Sequence, residues 1–147
     1  MHLKRLAVFL IRILGLVLGV IIFIVACIFI FFSITDGGCV NKVYHSASSP
    51  DNVYKIMLFD RDCGATTGYS THISILKINE ALNDGGNVFI ADDDRGRAMS
   101  HSEYKSLINI SVRWVDNSTV QVKYDKNARI FKEKDKLGDV RIEYSKM

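Results

Sequence analysis

The chain has 147 residues, 48% apolar and 24% charged, with one proline, ten glycines and three cysteines. That length allows one ordinary domain and excludes a multidomain enzyme or a long repeat array. High apolar content with a net charge of only +3 excludes a disordered chain. The charge is unevenly placed: Lys4, Arg5 and Arg12 are the cations of the first 35 residues and no acid accompanies them. Residues 36–147 are therefore formally neutral, without the basic excess of a nucleic-acid binder, and no nucleic-acid partner is expected.

From Ile13 to Ile34 the chain runs 22 residues without a charge. As a helix this is about 33 Å long, against about 30 Å of bilayer hydrocarbon. A helix pairs its own backbone amides, as lipid requires. The run is too long for the apolar core of a secretory signal, and no A-x-A pattern follows Ser33. Ile24-Val25-Ala26-Cys27 has the form of a lipobox, but Cys27 is followed by Ile28-Phe29-Ile30-Phe31-Phe32 rather than polar residues. An uncleaved anchor, with membrane lipid as its first partner, is the expectation. The cations before the span predict a cytoplasmic N-terminus and residues 36–147 on the far side, periplasmic or extracellular, of a bacterial inner membrane. Gly15 and Gly19 make a small-xxx-small spacing through which a homo-oligomer could pair. The organisation predicted is a basic tail over 1–12, a transmembrane helix over 13–35, a tether over 36–47 and an outer domain over 48–147.

On the oxidising side two cysteines remain, Cys39 and Cys63. A disulfide between them closes a loop of about 25 residues and contributes about 3.5 kcal/mol by loop-closure entropy. The competing readings are a free structural cysteine and a nucleophilic Cys63 with a histidine such as His72 as its base.

Past the tether, where Val40 and Val43-Tyr44 are the only start of an edge strand, the apolar period becomes two. Residues 53–59 are apolar on both faces, as a covered central strand requires. Residues 72–78 and 87–91 follow as strands. Ile108, Ile110, Val112 and Trp114 alternate with polar residues, turn at Asp116-Asn117-Ser118, and continue through Val120, Val122 and Tyr124 as a hairpin with one wet face. Residues 128–132 and 140–144 are two more strands, joined through Gly138-Asp139. Turn residues at 48–52 and 83–86 and the polar stretch 92–102 separate them. Only residues 79–82 and 101–106 allow a helical turn. The fold class predicted is an N-terminal transmembrane helix followed by a small all-β domain, an antiparallel sandwich or curled barrel of about seven strands.

Candidate chemistry lies first in the polar loop 60–72. There Arg61, Asp62, Thr66, Thr67 and His72 offer charge, hydroxyls and an imidazole to an anion or a ligand carbonyl. The alternative is a tight connection in which the glycines turn the chain and the hydroxyls satisfy its backbone. No Gly-Lys-Ser/Thr follows, so a phosphate loop is rejected. Asp92-Asp93-Asp94 with Gly96 lacks the alternating ligands and terminal Glu of a calcium loop, and Arg95 and Arg97 lie within it; a solvated loop is expected. No zinc-ligand spacing and no serine nucleophile elbow occurs, so neither a metal nor a cofactor is predicted. Asn109-Ile110-Ser111 and Asn117-Ser118-Thr119 match the glycosylation pattern, which matters only in a eukaryotic secretory route.

Ser49-Pro50-Asp51, Tyr54-Lys55, Phe59, the block Arg61-Asp62-Cys63-Gly64-Ala65-Thr66-Thr67-Gly68, Ile73-Ser74-Ile75-Leu76 and Gly85-Gly86-Asn87-Val88-Phe89-Ile90-Ala91 together resemble a family of small, uncharacterised bacterial envelope proteins and lipoproteins. Its signature is the Arg-Asp-Cys-Gly-Ala-Thr-Thr block. The resemblance covers residues 48–91 and extends loosely to Trp114, Tyr124, 129–131 and Tyr144. The longer anchor and Asn52 in place of a turn glycine depart from the family. It implies a bacterial envelope setting and carries no reaction or ligand. The functional expectation is a non-enzymatic binding or interaction module with a protein or envelope partner. Alternatives are an immunity or phage-exclusion protein, an accessory membrane subunit, and a thiol-dependent enzyme centred on Cys63.

Overall fold

The computed structural model describes residues 2–35, with side chains from 12 to 30, and residues 39–64, 68–82 and 84–147. It divides into two units at Gly38. The first is α1, His2–Thr35. Nothing in the basic segment breaks a helix, so the expected tail over 1–12 is helical from His2 and continuous with the apolar run. Arg12–Ile30 has the length and composition to cross a membrane, as an anchor or a signal sequence does. Its Leu, Ile, Val and Phe side chains are exposed on every side, Leu14, Leu18, Ile22 and Phe29 among them. A helix apolar all round is stable only where another apolar phase covers it. Open space lies over both Gly15 and Gly19, and Cys27 is an exposed free cysteine.

The second unit is all-β. Its strands are β1 (Val40–Ser48), β2 (Tyr54–Asp62), β3 (Ser70–Lys77), β4 (Phe89–Asp92), β5 (Ile110–Trp114), β6 (Thr119–Tyr124), β7 (Arg129–Glu133), β8 (Lys136–Leu137) and β9 (Val140–Lys146). They form two sheets, ordered β1-β2-β3-β4-β7 and β5-β6-β9-β8, which face each other as an open sandwich rather than a closed barrel. The seven expected strands are present. The stretch read as a tether is instead strand from Val40 onward. An edge strand buries little, and β1 carries few large apolar side chains to announce it. Residues 79–82 and 101–106 are turns, bends and irregular chain, not helix.

One pairing departs from the antiparallel expectation: β6 and β9 run parallel. After β6 the chain crosses to the other sheet, where β7 pairs with β4, and returns through β8 to lay β9 beside β6. A period of two reports which face a residue takes, not the direction of its neighbour, so the sequence carries no mark of this crossing.

The core lies between the sheets. Ile56 and Leu58 of β2, Ile73 and Ile75 of β3, and Phe89 and Ala91 of β4 meet Ile110, Val112, Val120, Val122, Val140 and Ile142. Phe89 is the aromatic centre, with ring centroids 5.2 Å from Tyr124 and 5.9 Å from Tyr144 of the opposite sheet. Trp114 adds a polar link, its indole N–H donating to the Ala47 carbonyl at 3.0 Å. The β1–β2 turn is closed by Ser49, whose N–H donates to the Tyr54 carbonyl at 2.8 Å and whose hydroxyl donates to Asp51 at 2.6 Å. Because Phe89 is fully buried and touches both sheets, Phe89→Ala is expected to cost about 3–5 kcal/mol in denaturant unfolding of the detergent-solubilised chain. A loss below about 1 kcal/mol would show that this ring does not bridge the sandwich.

Candidate functional site

The end of β2 places the candidate residues. Successive side chains on a strand point to opposite faces, so Asp60 and Asp62 turn one way and Arg61 the other. Beyond them Cys63 is bonded to Cys39. The β1 partners of this end are Val40 with Asp62, Asn41 with Arg61 and Lys42 with Asp60. Of the five loop residues singled out in the sequence, Arg61, Asp62 and His72 are described here, while Thr66 and Thr67 lie outside the described residues. The three do not form one site. Asp62 accepts the Gly64 N–H at 2.9 Å, where Gly64 takes a φ of 103°, and so shapes a turn.

Arg61 and His72 lie on the outer face of the five-stranded sheet, in a groove of about 540 Å³ that also holds Ser70, Ile90, Asp92, Arg129 and Phe131. Arg61 donates to the Asn41 side-chain oxygen at 3.0 Å and pairs with Asp84 at 3.5 Å. Arg129 forks onto both oxygens of Asp92. Burial opposes ionisation of Asp92, but the Arg129 fork and the Asp94 N–H outweigh it and hold the carboxyl below its ordinary range.

His72 is 4% exposed and both its ring nitrogens are engaged. Nδ1 accepts the Gly86 N–H at 2.7 Å, which leaves the proton on Nε2 to be donated to the Ser70 hydroxyl, also at 2.7 Å. Ser70 donates in turn to the Arg61 carbonyl at 3.3 Å. Burial drives the imidazole pKa down to about 4, and the cations Arg61 and Lys132 push the same way. His72 is thus a neutral structural group joining β3 to residues 84–86. With Cys63 in a disulfide and His72 occupied, the thiol mechanism has neither its nucleophile nor its base. Gly86 completes the joint: a Cβ there would strike the Phe89 carbonyl oxygen and come within 3.0 Å of the Ile73 oxygen and 3.2 Å of His72.

Within the acidic loop, Asp93 accepts the Arg95 N–H at 3.1 Å and Asp94 pairs with Arg97 at 2.8 Å. Asp94, Arg95 and Gly96 all take positive φ, so the carboxylates serve the turn itself. Among the described residues no three of His, Cys, Asp and Glu converge on a metal position.

On the opposite side of β2, at the end of the sandwich, lies a larger cleft of about 760 Å³ that sequence reading missed. Its floor is Asp60, only 3% exposed, and its walls include Tyr44, Tyr69, Tyr104 and Ser106. A bulge in β1 between Val43 and His45 leaves Tyr44 unpaired with β2. The Tyr44 hydroxyl donates to Asp60 Oδ2 at 2.9 Å and, its proton being used, accepts from the Ser106 hydroxyl at 2.8 Å. Tyr44 packs on Tyr104 at 4.7 Å, Tyr104 stacks on His101 at 5.0 Å, and the Lys42 ammonium sits 5.1 Å from the Tyr44 ring centre. The signal available in the sequence was an aspartate continuing a strand that is apolar on both faces: such a carboxylate is buried and needs a donor.

Two outcomes test the His72 joint. Its pKa is lower folded than unfolded, so its contribution to stability is complete above pH 6.5 and is lost as the pH falls toward about 4. The loss amounts to about 3 kcal/mol at most. His72→Gln should flatten that part of the stability–pH curve; an unchanged slope would refute the buried neutral imidazole. Gly86→Ala should destabilise by about 1–3 kcal/mol in the same measurement, because the obstacle is backbone.

No family model, no curated protein and no solved structure matches this chain.

Proposed function

We propose that the chain is a single-pass protein of the bacterial cytoplasmic membrane that holds a β-sandwich binding module on the outer, oxidising side. The observation that carries this reading is the Cys39–Cys63 bond, whose first sulfur lies four residues beyond the end of α1. Disulfides persist outside the reducing cytosol. A helix ending just before such a bond, with Lys4, Arg5 and Arg12 all upstream, supports an N-terminus kept inside and a sandwich placed outside. The resemblance of the Arg61–Gly68 block to bacterial envelope proteins supports the same compartment.

Binding rather than catalysis is the role the chemistry favours. The candidate nucleophile is oxidised, and the buried histidine is held neutral with both nitrogens engaged. The two-sheet frame instead offers the two recesses described above, one on each side of the β2 terminus. Each is of a volume that takes a small group or the end of a polymer. The partner is therefore a component of the envelope reached from the membrane surface.

Thiol labelling and proteolysis test the placement together. In intact spheroplasts, external protease should remove the sandwich and leave a short membrane-bound fragment. A membrane-impermeant maleimide should label Cys39 and Cys63 only after reduction. Protection of the sandwich, or labelling of both cysteines without reductant, would refute the reading.

A further inference from the structure

We propose that the cleft at the end of the sandwich binds an organic ammonium group, with Asp60 as its counter-ion and Tyr44 as its aromatic wall. The inference deepens the binding-module reading by naming the chemistry of its occupant, and it stands on four features of the cleft.

First, the floor is a carboxylate largely withdrawn from water, with one oxygen still open to the cleft. Asp60 is 3% exposed, and among the described residues only Tyr44 donates to it, through Oδ2. Oδ1 is left as an acceptor. A buried carboxylate with one neutral donor gains from a second, charged donor far more than a surface carboxylate does.

Second, the wall already holds an ammonium. Lys42 lies on exposed edge strand β1, directly across from Asp60 in the register, and its Nζ sits 5.1 Å from the centre of the Tyr44 ring. The molecule thus displays on itself the contact that an incoming alkylammonium would make. A solvent-exposed cation–π contact is weak, so the flexible side chain can swing aside and yield the place.

Third, the net charge of the lining is negative. With Lys42 displaced, Asp60, Asp62 and Glu103 line the cleft against Lys105 alone. The same local field shows at Tyr104: a hydrogen bond to Glu103, then burial and the charge of Glu103, hold its phenol above the ordinary value of 10. An anion would meet three carboxylates here.

Fourth, the two rings nearest Asp60, Tyr44 and Tyr104, are already engaged, whereas a sugar needs a free aromatic face. Tyr104 is packed between Tyr44 and His101, at 4.7 and 5.0 Å, and Tyr44 meets Tyr104 and Lys42. A point cation needs only the position that Lys42 now takes. The ammonium has two natural forms, a free diamine or a lysine-type side chain on a polymer, and both present the same –NH₃⁺ on an alkyl stem.

Calorimetric titration of the full chain in nanodiscs of zwitterionic lipid tests the proposal, with cadaverine as the probe of a free diamine and N-acetyl-lysine amide as the probe of a side chain. Saturable binding of either supports the site, and the tighter one tells which source it serves. Neutral 1,5-pentanediol and anionic glutarate should not bind. Lys42→Met removes the resident competitor and should tighten binding by about threefold or more, whereas Asp60→Asn should weaken it by about tenfold or more. Lys42→Met is a surface change that leaves the core intact, so it decides the matter even if Asp60→Asn does not fold. Unchanged or weaker binding in Lys42→Met, equal binding of the diol, or no saturable heat with either amine overturns the proposal. That failure would leave membrane placement untouched, because the spheroplast experiment tests placement separately.

Discussion

Neighbouring side chains on a strand leave on opposite faces, and on β2 both faces are covered. Ile56, Leu58 and Asp60 face the inter-sheet core, while Phe59 is buried on the outer side against His72, with ring centroids 5.3 Å apart. A one-residue slip of β2 would carry Asp60 to the outer groove and Arg61 into the end cleft, and would bury charge where the core needs methyl groups. The placement of both recesses therefore depends on this single register. Three constraints hold it. The apolar residues before Asp60 satisfy two different cores at once. The Ser49–Asn52 turn sets the pairing with β1 at one end, and the Cys39–Cys63 bond closes the other. A loop of about 25 residues joined in this way stabilises the unit by about 3.5 kcal/mol. That is a large share of what a sandwich of this size retains after the entropy of folding.

The outer face of β2 and β3 is held by an uncommonly polar joint. Asn87 pairs its side chain with both backbone groups of Ile75, accepting from the N–H at 2.9 Å and donating to the carbonyl at 2.7 Å, and so supplies the ladder where strand pairing has ended. Gly86 approaches the sheet so closely that no side chain fits, gives its N–H to His72 and takes Lys132 on its carbonyl at 2.7 Å. Each contact needs the others. The imidazole must be neutral to accept from Gly86, and its burial, helped by Arg61 and Lys132, keeps it neutral. This is why His72, Gly85-Gly86 and Asn87 act as one structural device, although the sequence separates them by more than a turn.

Which parts were legible follows from what each residue buries. The β5–β6 hairpin could be read because alternate residues from Ile110 to Tyr124 meet the core and the others meet water. β2 could be read because a run apolar on both faces has few other uses in a small domain. Strand β1 could be read only as a start at Val40 and Val43-Tyr44: Asn41, Lys42, His45 and Ser46 face solvent or polar partners, and an edge strand owes its place to pairing that leaves no apolar period. The end cleft was hidden for a different reason. Tyr44, Asp60 and Ser106 converge across 62 residues of sequence, through a β-bulge and an inter-sheet loop. No local spacing encodes such a meeting. Grouping Asp60 with the polar loop that follows it, rather than with the strand that precedes it, concealed the one buried carboxylate that gives the cleft its chemistry.

The two recesses differ in a way that separates architecture from recognition. In the outer groove each cation already has its anion or acceptor: Arg129 grips Asp92, and Arg61 is shared between Asn41 and Asp84. An ionic guest there would have to break pairs before making its own, and the exchange gains little. The end cleft is built the other way. Its deepest group is an acceptor with one neutral donor, its three acids outnumber its two lysines, and its aromatic wall carries a cation that is tethered rather than locked. Electrostatic free energy is recovered on binding only where the empty site has not already satisfied itself. By that criterion Arg61, Asp62 and Cys63 serve to fasten β2, and the binding proposed above belongs to the quieter face, where Tyr44 leaves the ladder to reach Asp60.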